Sequence, residues 1–241
     1  MTDNLLQPQE NGNSTSDIRH QISNDNLNTE VIPHSPIIKF FAHLLSYIFH
    51  PLWIPVYVCY FLAFIHPDYF TGFGIKQKSW IIIRVAYSMV FFPLITVLLL
   101  RALKIIDSIF LKTQKDRIIP YIACGIFYFW SYLVFKNQIE IPLIVTSFVF
   151  GVFLASSGAL IANIFYKISM HAIGMGGVLG IFVIILYSNT MLMTGPLSIA
   201  LLITGMVCTS RMIVSDHQLK EINAGIILGI ISQLIAALMI L

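Results

Sequence analysis

The sequence predicts an all-α fold, a polytopic transmembrane helical bundle with six to seven membrane-spanning segments. Three observations carry that expectation. Of 241 residues, 57% are hydrophobic and only 10% charged, where soluble domains carry about 25% charge. Mean hydropathy is +0.84. Apolar stretches long enough to cross about 30 Å of hydrocarbon recur between short polar clusters, and open sheet edges are not viable in lipid.

Charge and cysteine content narrow the class. A net charge of +3 is too small to suggest a nucleic-acid partner. Residues 1–36 hold five acids (Asp3, Glu10, Asp17, Asp25 and Glu30) against Arg19 alone, so the rest of the chain is basic. Cys59, Cys124 and Cys208 stand apart in apolar segments. That spacing argues against a disulfide framework and against a zinc site.

Two regions follow. Residues 1–36, rich in Asn, Ser, Gln, Asp and Thr, cannot bury enough apolar surface to offset ordering, and are expected to be a disordered polar tail. They lack the basic start and apolar core of a cleavable signal. Residues 37–241 form the membrane domain. Its first apolar segment, 37–65, is interrupted by Pro51 and Pro55. It reads either as one kinked crossing or as an interfacial helix followed by a short crossing. Further spans are expected near 79–103, with a kink at Pro93, and near 118–136, 141–166, 172–190, 197–212 and 218 to the last residue. Ser156, Ser157, Gly158 and Asn163 suit a close helix contact, as do Gly174, Gly176, Gly177 and Gly180.

If each span crosses once, the connections at 104–117, 167–171 and 210–217 fall on one membrane face. They bring Lys112, Lys115, Arg117, His171, Arg211, His217 and Glu221 to one end of the bundle. His217 and Glu221 are four apart, so on a helix the carboxylate can hold one imidazole nitrogen and leave the other as a nucleophile or base. Two histidines among several cations fit a phosphate site with a nucleophile and a proton donor. A polar interhelical turn facing water is the plain alternative. His43, His50 and His66 have no partner motif and read as structural. Clustered carboxylates are scarce after the tail, so neither a metal nor another cofactor is expected.

These residues, and the region from about 79 to 241, resemble the type 2 phosphatidic acid phosphatase superfamily, related to vanadium haloperoxidases. The third family signature is Ser-Arg, five residues, His, three residues, Asp. Here it reads Ser210-Arg211, five residues, His217, three residues, Glu221. The second, Pro-Ser-Gly-His, reads Ile168-Ser169-Met170-His171, and the first is reduced to Lys112, four residues, Arg117, with Pro120 beyond.

The resemblance implies an integral membrane phosphatase acting on a lipid phosphate or diphosphate through a phosphohistidine, in a bacterial inner membrane. His217 would attack phosphorus, Glu221 would orient it, and His171 would protonate the leaving group. Lys112, Arg117, Ser169 and Arg211 would hold the phosphoryl oxygens. Isoprenoid diphosphate, phosphatidic acid and phosphatidylglycerol phosphate are equally permitted. The alternative expectation is a non-catalytic bundle that binds or transports a lipid phosphate. Sidedness has two readings as well: the lysines and arginines outside the signatures lean toward a cytoplasmic motif face, whereas bacterial members of the family usually expose the site outside.

Overall fold

The computed structural model describes residues 35–106, 114–188, 192–215 and 217–241. The expected tail up to residue 34, Lys112 and Asp216 lie outside them. Pro36–Leu241 forms one compact unit. Eight helices lie among the described residues: α1 (Pro36–Ile48), α2 (Ile54–Ile65), α3 (Ile75–Ala102), α4 (Gln114–Lys136), α5 (Leu143–Phe165), α6 (Met170–Ser188), α7 (Thr194–Ser215) and α8 (Leu219–Ile240). No strand occurs among those residues. Helices α3 to α8 are each long and apolar enough to cross a membrane. The outward side chains are those of a lipid-facing surface, among them Trp80, Ile83, Ile126, Trp130, Leu201 and Leu202. The protein is an all-α, polytopic helical bundle.

Pro51 and Pro55 divide the first apolar segment into two helices. At about 1.5 Å per residue each covers roughly 20 Å or less, short of about 30 Å of hydrocarbon. Helix α2 takes Pro55 into its first turn, where a missing N–H costs nothing. It ends in a wide π turn, Phe61–Ile65, followed by a 3-10 turn, Pro67–Phe70. This stretch runs alongside α6 for its whole length. Pro51 and Ile54 face Gly174, Phe61 stacks on Phe182 at 4.5 Å, and Tyr69 Oη lies 2.6 Å from Ser188 Oγ. Residues 51–69 therefore make a short traverse of the bundle. Helix α1 precedes it separately and packs on α7, burying only Ala42 and Ser46. In α3, a π turn at Tyr87–Phe91 sits directly before Pro93, and the widened turn absorbs the proline ring that a regular helix would reject.

Helix α8 packs against both α5 and α6. On α5, Gly151 receives Gln233 and Gly158 receives Leu228. The Gln233 amide donates to the Phe148 carbonyl at 3.3 Å, a polar tie within the apolar core. On α6 the approach is closer, because backbone meets backbone. Gly176 lies against the Ile226 carbonyl, and Gly229 against the Ile173 carbonyl and the Gly177 nitrogen. Lipid gives helices little hydrophobic reason to associate, so this fit of small residues holds the pair.

A methyl group at Gly229 has no room to enter, and the two backbones must part. Gly229→Ala should cost about 1–3 kcal/mol and lower the unfolding temperature in detergent. Gly205→Ala, on α7 with open space around it, should be neutral or slightly stabilising, since alanine favours helix by about 1 kcal/mol. Equal behaviour of the two variants would contradict the α6–α8 contact.

Candidate functional site at the converging helix ends

Four pieces of chain meet at one end of the bundle. Arg117, in the first turn of α4, donates from Nη1 to the Ile168 carbonyl at 3.3 Å. Lys167 in the turn before α6 donates from Nζ to the Ser215 carbonyl, the last residue of α7, at 3.2 Å. His171 Nε2 lies 3.0 Å from the Ser46 carbonyl at the end of α1. The expected convergence of the segments around 117, 167–171 and 210–221 is therefore present, and α1 joins it. Helix α7 runs through Ser210 and Arg211 to Ser215, three residues past the expected end of that span near 212.

His217 is held between α7 and α8. Its Nδ1 lies 2.6 Å from Glu221 Oε2. A carboxylate can only accept, so Nδ1 carries the proton and Nε2 keeps the lone pair. The same Oε2 accepts the Gln218 backbone N–H at 3.3 Å, closing a capping box at the start of α8. Burial pushes the His217 pKa below its ordinary 6.5, and Lys167 and Arg211 act in the same direction. These outweigh the opposing pull of the Glu221 hydrogen bond and charge. At neutral pH the ring is a neutral base with one free nitrogen.

His171, the second residue of α6, is oriented by a different acceptor. The Ser46 carbonyl lies in the last turn of α1, where helix carbonyls lack intrahelical partners. Because it can only accept, His171 Nε2 carries the proton and Nδ1 is left to exchange one. Ser46 is itself anchored, its Oγ 3.1 Å from Ser210 Oγ, with both side chains buried. Among the groups that act electrostatically on His171, Arg211 comes first, ahead of the rings of His50 and His217. His50 stands edge-to-face against it, the ring centroids 5.3 Å apart.

The predicted phosphate ligands divide. Arg117 is buried at the convergence, and its charge reaches Arg211. Arg211 keeps a buried Nε with no hydrogen-bond partner among the described residues. Ser169 is fully buried, and its Oγ accepts the Ala172 N–H at 3.4 Å, the position of a helix cap for α6. Lys112 lies outside the described residues, and nothing is described of the Lys115 side chain.

Sequence reasoning missed three contributors. Lys167 stands in the polar run before His171 but outside the three signatures, where it counts only toward sidedness. Ser46 acts through a backbone carbonyl 125 residues from its partner, which no spacing rule detects. His50 was set aside as structural for want of a motif. His66, set aside with it, is buried at the far end of α2 against Phe61 and Tyr69.

A cleft of about 820 Å³ lies elsewhere, between α3 and α4 at the opposite end. There Arg84 donates to Gln138 at 2.8 Å and lies 3.8 Å from Glu140. Comparison with models of known families, with curated proteins and with solved structures finds no match.

The shared end is testable without any assumption about chemistry. Single cysteines at Lys104 and Lys220, in a background lacking Cys59, Cys124 and Cys208, should react with an impermeant thiol reagent from one side of the membrane. Cysteines at Ile139 and Leu192, exposed at the other end, should react only from the other. Labelling of Lys104 and Lys220 positions from opposite sides would break the arrangement.

Proposed function

We propose that the protein is a membrane phosphatase that hydrolyses a lipid phosphate or diphosphate through a phosphohistidine at His217. The observation that carries this reading is the His217–Glu221 pair at 2.6 Å, set among the charges of Arg211 and Lys167. Phosphoryl transfer asks mainly for positioning and for cations around the equatorial oxygens.

In the first step the lone pair on His217 Nε2 attacks phosphorus as the bond to the leaving oxygen breaks. That oxygen takes a proton from His171 Nδ1, the second ring proton of an imidazolium formed as Nδ1 draws the proton of the bound phosphate monoanion. Arg211 and Arg117 neutralise the phosphoryl oxygens as charge spreads over them, and arginine does so through paired hydrogen bonds. In the second step water attacks the phosphohistidine and His171 Nδ1 takes its proton back. Phosphate departs, and the electron pair returns to His217. Glu221 keeps the ring oriented and stabilises the positive charge that forms on it. Ser169, buried as a helix cap, acts on the backbone around His171 more directly than on the phosphate. A lipid substrate suits a site at one end of helices whose outer faces are apolar, and a bacterial inner membrane is the setting that the sequence resemblance implies.

His217→Ala should abolish turnover and any acid-labile phosphoenzyme trapped from labelled substrate. Glu221→Gln should keep the helix cap, since glutamine also closes a capping box. It should still lower turnover by about 10²-fold or more, with little change in unfolding temperature. The acid limb of kcat/KM should fall below pH 6.5, because burial lowers the His217 pKa and the neutral form is the nucleophile. Phosphate release by His217→Ala at the wild-type rate would sink the mechanism and favour the non-catalytic lipid-phosphate binding or transport reading.

His171→Ala should slow an alkyl phosphate far more than an activated aryl phosphate, since a general acid contributes about 10²–10⁴-fold and most to poor leaving groups. Turnover should also survive excess chelator. Loss that magnesium restores would transfer the electrophilic role from the arginines to a metal.

A further inference from the structure

The site contains a third histidine that belongs to none of the three signatures. His50 lies in the turn between α1 and α2, and its ring meets His171 edge-to-face at 5.3 Å. The Leu52 backbone N–H donates to His50 Nδ1 at 3.3 Å. In a neutral ring, that nitrogen is then the acceptor, and Nε2 must carry the hydrogen. Partial removal from water, followed by the charge of Arg211, holds the His50 pKa below its ordinary 6.5, although the residue keeps an exposed edge. Near neutral pH, His50 therefore offers one N–H and no added charge. It does so between the solvent and His171, within reach of the Arg211 field.

We propose that His50 is a substrate-contact residue whose Nε2–H holds the leaving-group oxygen of the phosphate compound beside His171. The inference rests on the phosphatase reading of the same site. The placement follows from which histidine it touches. His217 faces phosphorus from the attacking side, and His171 serves the departing oxygen, so a donor packed on His171 meets that side of the substrate. An oxygen there has two lone pairs, one to take the His171 proton and one to accept from His50. Because His50 is not the proton source, its contact exists before and after the transfer. It therefore acts on binding more than on the chemical step.

Two measurements on the full-length protein in detergent test this. With a lipid phosphate, His50→Ala should raise KM about tenfold and change kcat by less than about threefold, the signature of binding shared by ground and transition states. His50→Gln keeps a neutral N–H donor and should recover most of the loss. Calorimetric titration with inorganic orthophosphate should show the same order: wild type, then His50→Gln, then His50→Ala, about tenfold weaker than wild type. Wild-type KM and orthophosphate affinity in His50→Ala would overturn the proposal. So would a kcat collapse matching that of His171→Ala, or equal losses in both His50 variants together with a lowered unfolding temperature. If wild type releases no phosphate but binds orthophosphate in a His50-dependent way, the phosphatase reading fails while the anion contact stands. If wild type neither turns over nor binds the anion, both fall.

Discussion

The arrangement depends on how closely α6 and α8 approach. Ordinary helices pack with their axes about 8–10 Å apart, separated by side chains. Here Gly176, Gly225 and Gly229 remove that layer along more than one turn, and Gly225 admits Ala172 and the Ser169 carbonyl. His171 is the second residue of α6, and His217 stands two residues before α8. Bringing the two helix beginnings together at backbone distance thus brings the two imidazoles to the same end. A glycine in a helix costs about 1 kcal/mol relative to alanine. The seam is worth that cost because nothing bulkier lets the two ends meet.

The two histidines are fixed by acceptors of different kind. Glu221 brings a full negative charge to His217, which suits a ring that turns positive when Nε2 forms a bond. The Ser46 carbonyl brings only a dipole to His171, enough to choose which nitrogen holds the proton without trapping a second one. Around them Arg117, Lys167 and Arg211 arrive from three separate elements. Two of these cations also tie the elements together through backbone carbonyls, so charge and architecture are supplied by the same side chains.

Much of this was legible in residue spacing, where the interaction was local. The four-residue interval from His217 to Glu221 is a helix-face relation, and the pair is found as spacing implies. The six long helices follow from stretches of apolar residues, whose ends shifted by a few positions. Convergence followed from counting crossings. What could not be read was non-local or lacked a side-chain signature. The Ser46 carbonyl has no residue-type preference, and the His50–His171 contact depends on how Pro51 and Pro55 turn the chain between two short helices. Ser169 illustrates the opposite case. Its type suits a phosphate ligand, yet its burial and its bond to the Ala172 N–H are those of a cap.

One oxygen, Glu221 Oε2, closes the first turn of α8 and holds His217 at once. Glutamate reaches both groups from the third helical position, and a shorter aspartate would have one methylene less with which to span them. The shared atom gives the imidazole the stiffness of a helix terminus. The ring cannot tilt freely toward a ligand, because following it would release the Gln218 N–H and fray the turn. Precision at the reactive nitrogen is thereby borrowed from secondary structure, and a disturbance at either end of that carboxylate is transmitted to the other.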